Sequence, residues 1–200
     1  MAGAGLIAAA YLLGSVNFAI LLLKILGLAD PRTVFSGNAG ATNVYRLAGR
    51  RWAAVVLLLD VGRAAGLALA AERCLSPEAV PWVGLALVAG NRFPLFHRFR
   101  GGKGVAAFLG FALPLAPVAA AASCGLWVIL YRKVRLSFVA SFGMVAVLTA
   151  GLVLRFPLLP AAVAGTAGTA LLVLLNHRVN WRRWRQAKKA GTAPGGEGAA

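Results

Sequence analysis

Apolar runs broken by short polar or Gly/Pro joints repeat along almost the whole chain. They predict helices near 4–23, 52–71, 80–96, 104–115, 117–131, 138–154 and 158–176. Several reach the roughly 17–25 residues a helix needs to cross ~30 Å of hydrocarbon. Residues 104–131 are too few for two full spans, so they predict two short tilted helices around Pro114 and Pro117, or one interrupted span. The first 23 residues carry no charge before Lys24, so they lack the basic start of a signal peptide and are expected to be a retained span. The pattern predicts an all-α integral membrane fold of about seven transmembrane helices in one domain over residues 1–180. Residues 181–200 are expected to form a basic interfacial segment and a disordered tail.

Composition agrees: 60% of residues are hydrophobic and 13% charged, too apolar for a soluble domain of 200 residues. The net charge of +16 raises nucleic acid as a partner, but the placement of the cations argues for a membrane. Eighteen of the 21 Lys and Arg residues fall within 24–51, 92–103, 132–135 and 178–189, joints that alternating spans place on one side. Arg73 and Arg155 fall on the other side and Arg63 within a span. The positive-inside rule then predicts an external amino terminus and a cytoplasmic carboxyl terminus. Trp181 and Trp184, interleaved with arginines, read as an interfacial anchor at anionic headgroups or as the edge of a substrate site. Cys74 and Cys124 have no metal-ligand neighbours and read as structural.

Three stretches on the basic side depart from ordinary joints. The first is Ser36-Gly37-Asn38-Ala39-Gly40-Ala41-Thr42-Asn43, followed by Arg46. Glycines let successive N–H groups converge on an anion, the Ser, Asn and Thr side chains add donors, and Arg46 adds a planar cation; the same composition also makes a plain turn. The second is Phe99-Arg100-Gly101-Gly102-Lys103-Gly104-Val105, which opens an apolar helix and so offers N–H groups, a dipole and the Lys103 charge together. Tight helix packing is the other use of Gly101 and Gly102. No Ser or Thr follows Lys103, so this is not a Walker A loop. The third is Asn176-His177-Arg178-Val179-Asn180, where His177 and Asn180 share a helix face, as a solvated cap or as part of a site.

The acidic residues are Asp30, Asp60, Glu72, Glu78 and Glu197, and Asp60 is spaced to pair with Arg63 inside the second span. No carboxylate pair, metal-spaced cluster or Gly-x-Ser-x-Gly elbow is present. Donors and cations with almost no general base suit a phosphorylated substrate and stabilisation of negative charge during group transfer.

In this order the three stretches resemble the motifs of the bacterial acyl-phosphate:glycerol-3-phosphate acyltransferase family (PlsY), over most of the chain from Gly14-Ser15 to Asn180. The resemblance implies seven helices, an active site facing the cytoplasm, and location in the bacterial plasma membrane. It implies acyl transfer from acyl phosphate to the sn-1 hydroxyl of glycerol 3-phosphate, giving lysophosphatidic acid, with substrate phosphate rather than a side chain taking the proton. By matching position, Ser36, Arg46, Lys103, Ser141, His177 and Asn180 would line the pocket. Ser36, Lys103, His177 and Asn180 would be catalytic. Asn38, Asn43, Gly37, Gly40, Gly101 and Gly102 would bind or shape, together with Arg46 and Ser141. Membrane lipids surround such an enzyme; no cofactor, metal or nucleic acid is implied, and a monomer is compatible. The chain departs from the family pattern at Phe35 (usually Gly), Arg63 (Lys), Asn91 (His), Phe138 (Ser) and in a tail without its glutamate. Competing readings are a carrier of a phosphorylated metabolite and a catalytically degenerate paralogue that binds anionic lipid.

Overall fold

The computed structural model describes residues 2–191. Ten α-helices follow in order: α1 (Ala2–Ser15), α2 (Phe18–Ile25), α3 (Ala41–Ala48), α4 (Arg50–Cys74), α5 (Val80–Arg92), α6 (Val105–Leu115), α7 (Pro117–Val134), α8 (Ser137–Arg155), α9 (Pro160–Leu175) and α10 (Arg178–Lys189). A 3-10 turn, Leu95–His97, precedes α6. Gly3–Ile25, Arg50–Cys74 and Ser137–Arg155 are long and apolar enough to cross a membrane. α9 and α10 together make a fourth if their 41° bend lies within one span. The tail expected to be disordered falls, from residue 192 onward, outside the described residues.

Physical chemistry explains where the observed ends differ from the pattern. The helix expected over 4–23 is broken at Val16 and Asn17, because the Asn17 side chain caps α2 by accepting from Ile20 N at 3.0 Å. Arg63 bridges the break: its Nη1 donates to Val16 O and, at 2.7 Å, to Leu13 O, which also accepts from Val16 N at 3.1 Å. The helix expected over 80–96 stops at Arg92, because Pro94 lacks an N–H and turns Phe93 out of helical geometry. Residues 104–131 form two helices that part at Ala116, with Pro117 at the first position of α7. Apolar periodicity overlooked two amphipathic helices, α3 and α10.

Close packing joins the helices through small residues, as in other helix pairs that lack a water-driven core. A Cβ on Gly14 would stand 2.3 Å from Leu87 O and one on Gly90 would stand 2.1 Å from Tyr11 O, so α1 and α5 touch backbone to backbone. α4 packs on α6 and α7 on α8. Phe108, Phe111, Leu87, Leu148 and Leu152 fill the centre, while Leu58, Val118 and Leu154 point outward as lipid-facing side chains do. At one end of the bundle Gly3 approaches Leu75, and Arg155 pairs with Glu72 at 2.8 Å. At the other end lie the joints with the three motif stretches.

Candidate active site

Between Asp30 and Gly40 the chain makes a compact loop held by one amide. Asn43, fully buried at the start of α3, donates through Nδ2 to Pro31 O at 2.9 Å and to Val34 O at 3.2 Å. Carbonyls only accept, so this orientation turns Oδ1 toward Ser36 Oγ (2.9 Å) and Arg46 Nη1 (3.4 Å), which donate to it. Phe35 takes a φ of +50°, which accounts for the glycine usual in the family. Holding a bulky residue there costs about 1–2 kcal/mol, partly offset by the Arg46 guanidinium 5.5 Å above the Phe35 ring. Asn17 Nδ2 donates to Ala39 O at 3.2 Å, tying the loop to the break in the first span.

The glycine loop does a different job from the one its composition suggested. Gly101 N donates to Arg92 O at 3.2 Å and Gly102 N to Asn91 O at 2.9 Å, so both N–H groups cap α5 and are not turned to an anion. The glycines are needed for approach: a Cβ on Gly101 would lie 2.1 Å from Asn91 O, and one on Gly102 would lie 2.8 Å from Ala39 O. The donors come one step later, at the opening of α6, where Val105, Ala106 and Ala107 lack intrahelical acceptors. Lys103 is fixed through its carbonyl, which accepts from Asn176 Nδ2 at 3.1 Å, while Asn176 Oδ1 accepts from Arg92 Nε at 2.9 Å.

These parts enclose a cavity of ≈ 340 Å³. Ser36, Asn38, Gly40, Thr42, Asn91, Gly102, Lys103, Ser137, Ser141 and His177 form its polar walls; Leu57, Leu109, Trp127, Val128 and Met144 form an apolar side. The N-termini of α3 and α6 both open into it, since Ala41, Thr42 and Val105, Ala106, Ala107 are wall residues. Two positive dipole ends and one ammonium therefore face the same space, a strong arrangement for a multiply charged anion. His177 is 2% exposed, not a solvated cap. Its Nδ1 carries the proton, because it donates to Val173 O at 2.8 Å. Ser141 Oγ donates to Ser137 O at 2.9 Å.

Of the residues singled out from sequence, Ser36, Asn38, Gly40, Gly102, Lys103, Ser141 and His177 meet at the cavity. Gly37, Asn43, Arg46, Gly101 and Asn180 stand outside its walls: Asn43 and Gly101 shape the loops, Gly37 turns with φ +68°, and Asn180 lies half-buried in the first turn of α10. Sequence reasoning missed the roles of Asn17, Arg92 and Asn176. A polar residue interrupting an apolar run was the available signal for Asn17, and adjacency to His177 for Asn176. It also missed that Asp60 reaches the cavity wall, held by Arg63 Nη2 at 2.7 Å. Among the described residues no three His, Cys, Asp or Glu side chains come together.

Outside the cavity, Arg32 clamps the two loops. Its Nη1 donates to His97 O at 2.8 Å and to Arg100 O at 3.3 Å, and its Nη2 pairs with Asp30 at 2.6 Å. The Arg32 hydrogen bond holds the Asp30 carboxyl below its ordinary value, and Asp30 raises Arg32 in return. Burial, with the nearby Arg32 charge, lowers His97.

Residues 4–187 match the family described as glycerol-3-phosphate acyltransferase. The glycerol-3-phosphate acyltransferase of Jannaschia sp. (strain CCS1) is 42% identical over 174 residues, which cover 87% of this chain and 85% of that one. The one from Methylobacillus flagellatus is 38% identical over 193 residues, covering 96% and 97%. A crystal structure of PlsY (YgiH), an integral membrane glycerol 3-phosphate acyltransferase, in its glycerol 3-phosphate form matches with a TM-score of 0.86 at 30% identity over 94% of each chain. Its lysophosphatidic acid form matches with a TM-score of 0.84 at 28% identity.

Proposed function

The chain belongs to the glycerol-3-phosphate acyltransferase family, and from that membership we propose that it transfers an acyl group from acyl phosphate to the sn-1 hydroxyl of glycerol 3-phosphate, giving lysophosphatidic acid and inorganic phosphate. The observation that carries this reading is one cavity with an anion-binding half and an apolar half. An acyl phosphate needs both. Its chain lies along Leu109, Trp127, Val128 and Met144, and its phosphate meets Lys103 and the two helix N-termini. The sn-1 oxygen attacks the acyl carbon, the C–O bond to phosphate breaks, and the departing phosphate takes the hydroxyl proton. Ser36 gives its own proton to Asn43, so its lone pairs are placed to accept from the other glycerol hydroxyl and orient the substrate. The Asp60 carboxylate is engaged by Arg63, and the proton goes to the substrate phosphate as the family resemblance implies. Lys103, Ser36 and His177 act at the cavity, with Ser141 and Asn38 binding and Gly102 shaping the wall; Arg46, Asn43 and Asn180 support the phosphate end from outside its walls.

The same reading places seven passes in the bacterial plasma membrane, amino terminus outside and cavity toward the cytoplasm. Support comes from the way chain joints alternate between the two bundle ends, with the Gly3, Leu75 and Glu72–Arg155 contacts at one and the cavity loops at the other. The basic residues gather at the cavity end, as the positive-inside rule requires of a cytoplasmic face. Nothing in the site favours the carrier or degenerate-paralogue readings.

The test is purified protein supplied with glycerol 3-phosphate and either acyl phosphate or acyl-CoA. Lysophosphatidic acid with stoichiometric phosphate from the first donor is expected, and Lys103→Ala should lower turnover by at least about a hundredfold, the scale of losing one charged transition-state contact. Product from acyl-CoA alone would overturn the donor assignment. No product from either donor would overturn the activity.

A further inference from the structure

α10 joins directly onto the cavity, since His177, the residue just before its first turn, is a wall residue. Arg178, Arg182, Arg185 and Lys189 recur at i, i+4, i+7 and i+11, which lays them in one stripe along the helix. Arg183 and Lys188 flank that stripe, all six cations are exposed, and α10 contains no acidic residue. On the inward face Trp181 and Trp184 meet the Phe138 ring at 6.3 and 6.5 Å. Phe138 meets Phe142 at 5.8 Å, and Phe142 meets the His177 ring at 5.5 Å. Five rings thus run without a gap from the interfacial helix to a cavity wall. Phe138 stands where the family usually has serine, so this chain's own residue supplies the middle of that path.

Two features identify what the stripe fits. α9 is apolar and turns by 41° into α10, whose six cations and absent acids suit the headgroup layer rather than hydrocarbon. Trp181 and Val179 remain 42% and 46% exposed beside the cations, giving an apolar edge with a charged flank. Tryptophans at headgroup depth and cations among phosphates are the arrangement of a helix lying on an anionic bilayer. A nucleic acid would leave the apolar edge uncovered.

We infer that the α10 stripe docks on anionic phospholipid headgroups, and that this docking, carried by the ring path, holds His177 in the cavity so that anionic lipid raises turnover. The turnover half rests on the acyltransferase reading; the lipid half does not. The test uses the full chain in nanodiscs of phosphatidylcholine, with or without phosphatidylglycerol. Native mass spectrometry reads which lipid is retained, and phosphate release reads turnover. Wild type should retain phosphatidylglycerol preferentially and turn over at least about threefold faster with it, an advantage that shrinks at high salt as charges are screened. Neutralising the stripe by Arg182→Gln, Arg185→Gln and Lys189→Gln together should remove both effects while keeping the rate seen in phosphatidylcholine. Trp181→Ala should keep the lipid preference and lose the rate response. Equal retention of both lipids by wild type, or unchanged preference in the neutralised variant, would overturn the docking surface. A rate response that survives Trp181→Ala, or none in wild type despite lipid preference, would overturn the coupling. Absence of turnover in every lipid counts against the acyltransferase reading and the coupling together, and leaves the docking to be judged by retention.

Discussion

Asn43 fixes which way the Ser36 hydroxyl points: its amide donates to two carbonyls, so its oxygen can only receive the Ser36 proton. Ser36 therefore faces the cavity as an acceptor. Asn43→Asp keeps an acceptor for Ser36 but sets a carboxylate against Pro31 O and Val34 O. One such lost buried hydrogen bond costs about 1–3 kcal/mol, or roughly tenfold or more in rate where it holds a reacting group. Phosphate-release assays should show that loss for Asn43→Asp and a larger one for Asn43→Ala, which frees Ser36 as well. A near-wild-type rate for Asn43→Ala would mean that the direction of the Ser36 hydroxyl is unimportant.

Asn176 offers a cleaner separation, because its two ends do different things. Asn176→Asp preserves, and charges, the acceptor for Arg92 Nε, but removes the donor to Lys103 O. If the tether on Lys103 matters, Asp should lose turnover by roughly tenfold, as Ala does, although Asp makes the stronger pair with Arg92. Recovery of full activity by Asp would assign the role to Arg92 instead.

The gross fold was readable because lipid-facing helices leave long apolar runs, and five of the seven runs match observed helices to within three residues at each end. The first run hid its break, since a single Asn17 in an apolar stretch carries no period, and the Arg63 that completes the break lies 47 residues from Val16. α3 and α10 escaped because their polar faces swamp an apolar-run pattern. At the site, motif residues were visible as residue types, but their directions were not. That Gly101 and Gly102 spend their N–H groups on α5 is a contact between elements that spacing along the chain does not encode.

Glycine substitution should separate shaping from mere flexibility. Gly101→Ala drives a Cβ to 2.1 Å from Asn91 O, a backbone atom that cannot swing aside, whereas a Cβ on Gly125 meets nothing within 4 Å. Gly125→Ala, in the interior of α7, should leave activity unchanged and stabilise by about 0.5–1 kcal/mol. Gly101→Ala should lower both the melting temperature and turnover. Equal behaviour of the two variants in thermal unfolding would remove the packing argument.

The Arg32 clamp predicts a confined acid sensitivity. Asp30 titrates below its ordinary value of 3.8 chiefly because Arg32 hydrogen-bonds its ionised form. The folded state then binds fewer protons than the unfolded one, so the contribution is complete above that ordinary value and fades as pH falls through the lower folded one. Stability from this pair should be flat from about pH 8 to pH 5 and decline below about pH 4. Melting curves of Asp30→Asn should lack that part of the acid decline, and an identical profile for both proteins would exclude the clamp as its source.

Arg63 carries a heavier duty than neutralising Asp60. The two side chains are 8% and 11% exposed, and removing one partner of such a buried pair costs about 3–5 kcal/mol, because the other charge is left in an apolar setting. Asp60→Asn and Arg63→Leu should both fall in that range by chemical denaturation. Replacing both partners with leucine often restores stability in buried pairs, but here it should do so only partly. Arg63 Nη1 also serves Leu13 O and Val16 O at the break in the first span, and two leucines leave Val16 O without that donor, whereas Leu13 O keeps Val16 N. The residual loss should appear in turnover too, since Asn17 at the same break holds Ala39 O in the substrate loop. Arg63→Lys, with a point charge in place of a fork, should lie between wild type and Arg63→Leu. A double-leucine variant as stable and active as wild type would show that the break needs no cation, and that Arg63 is present for Asp60 alone.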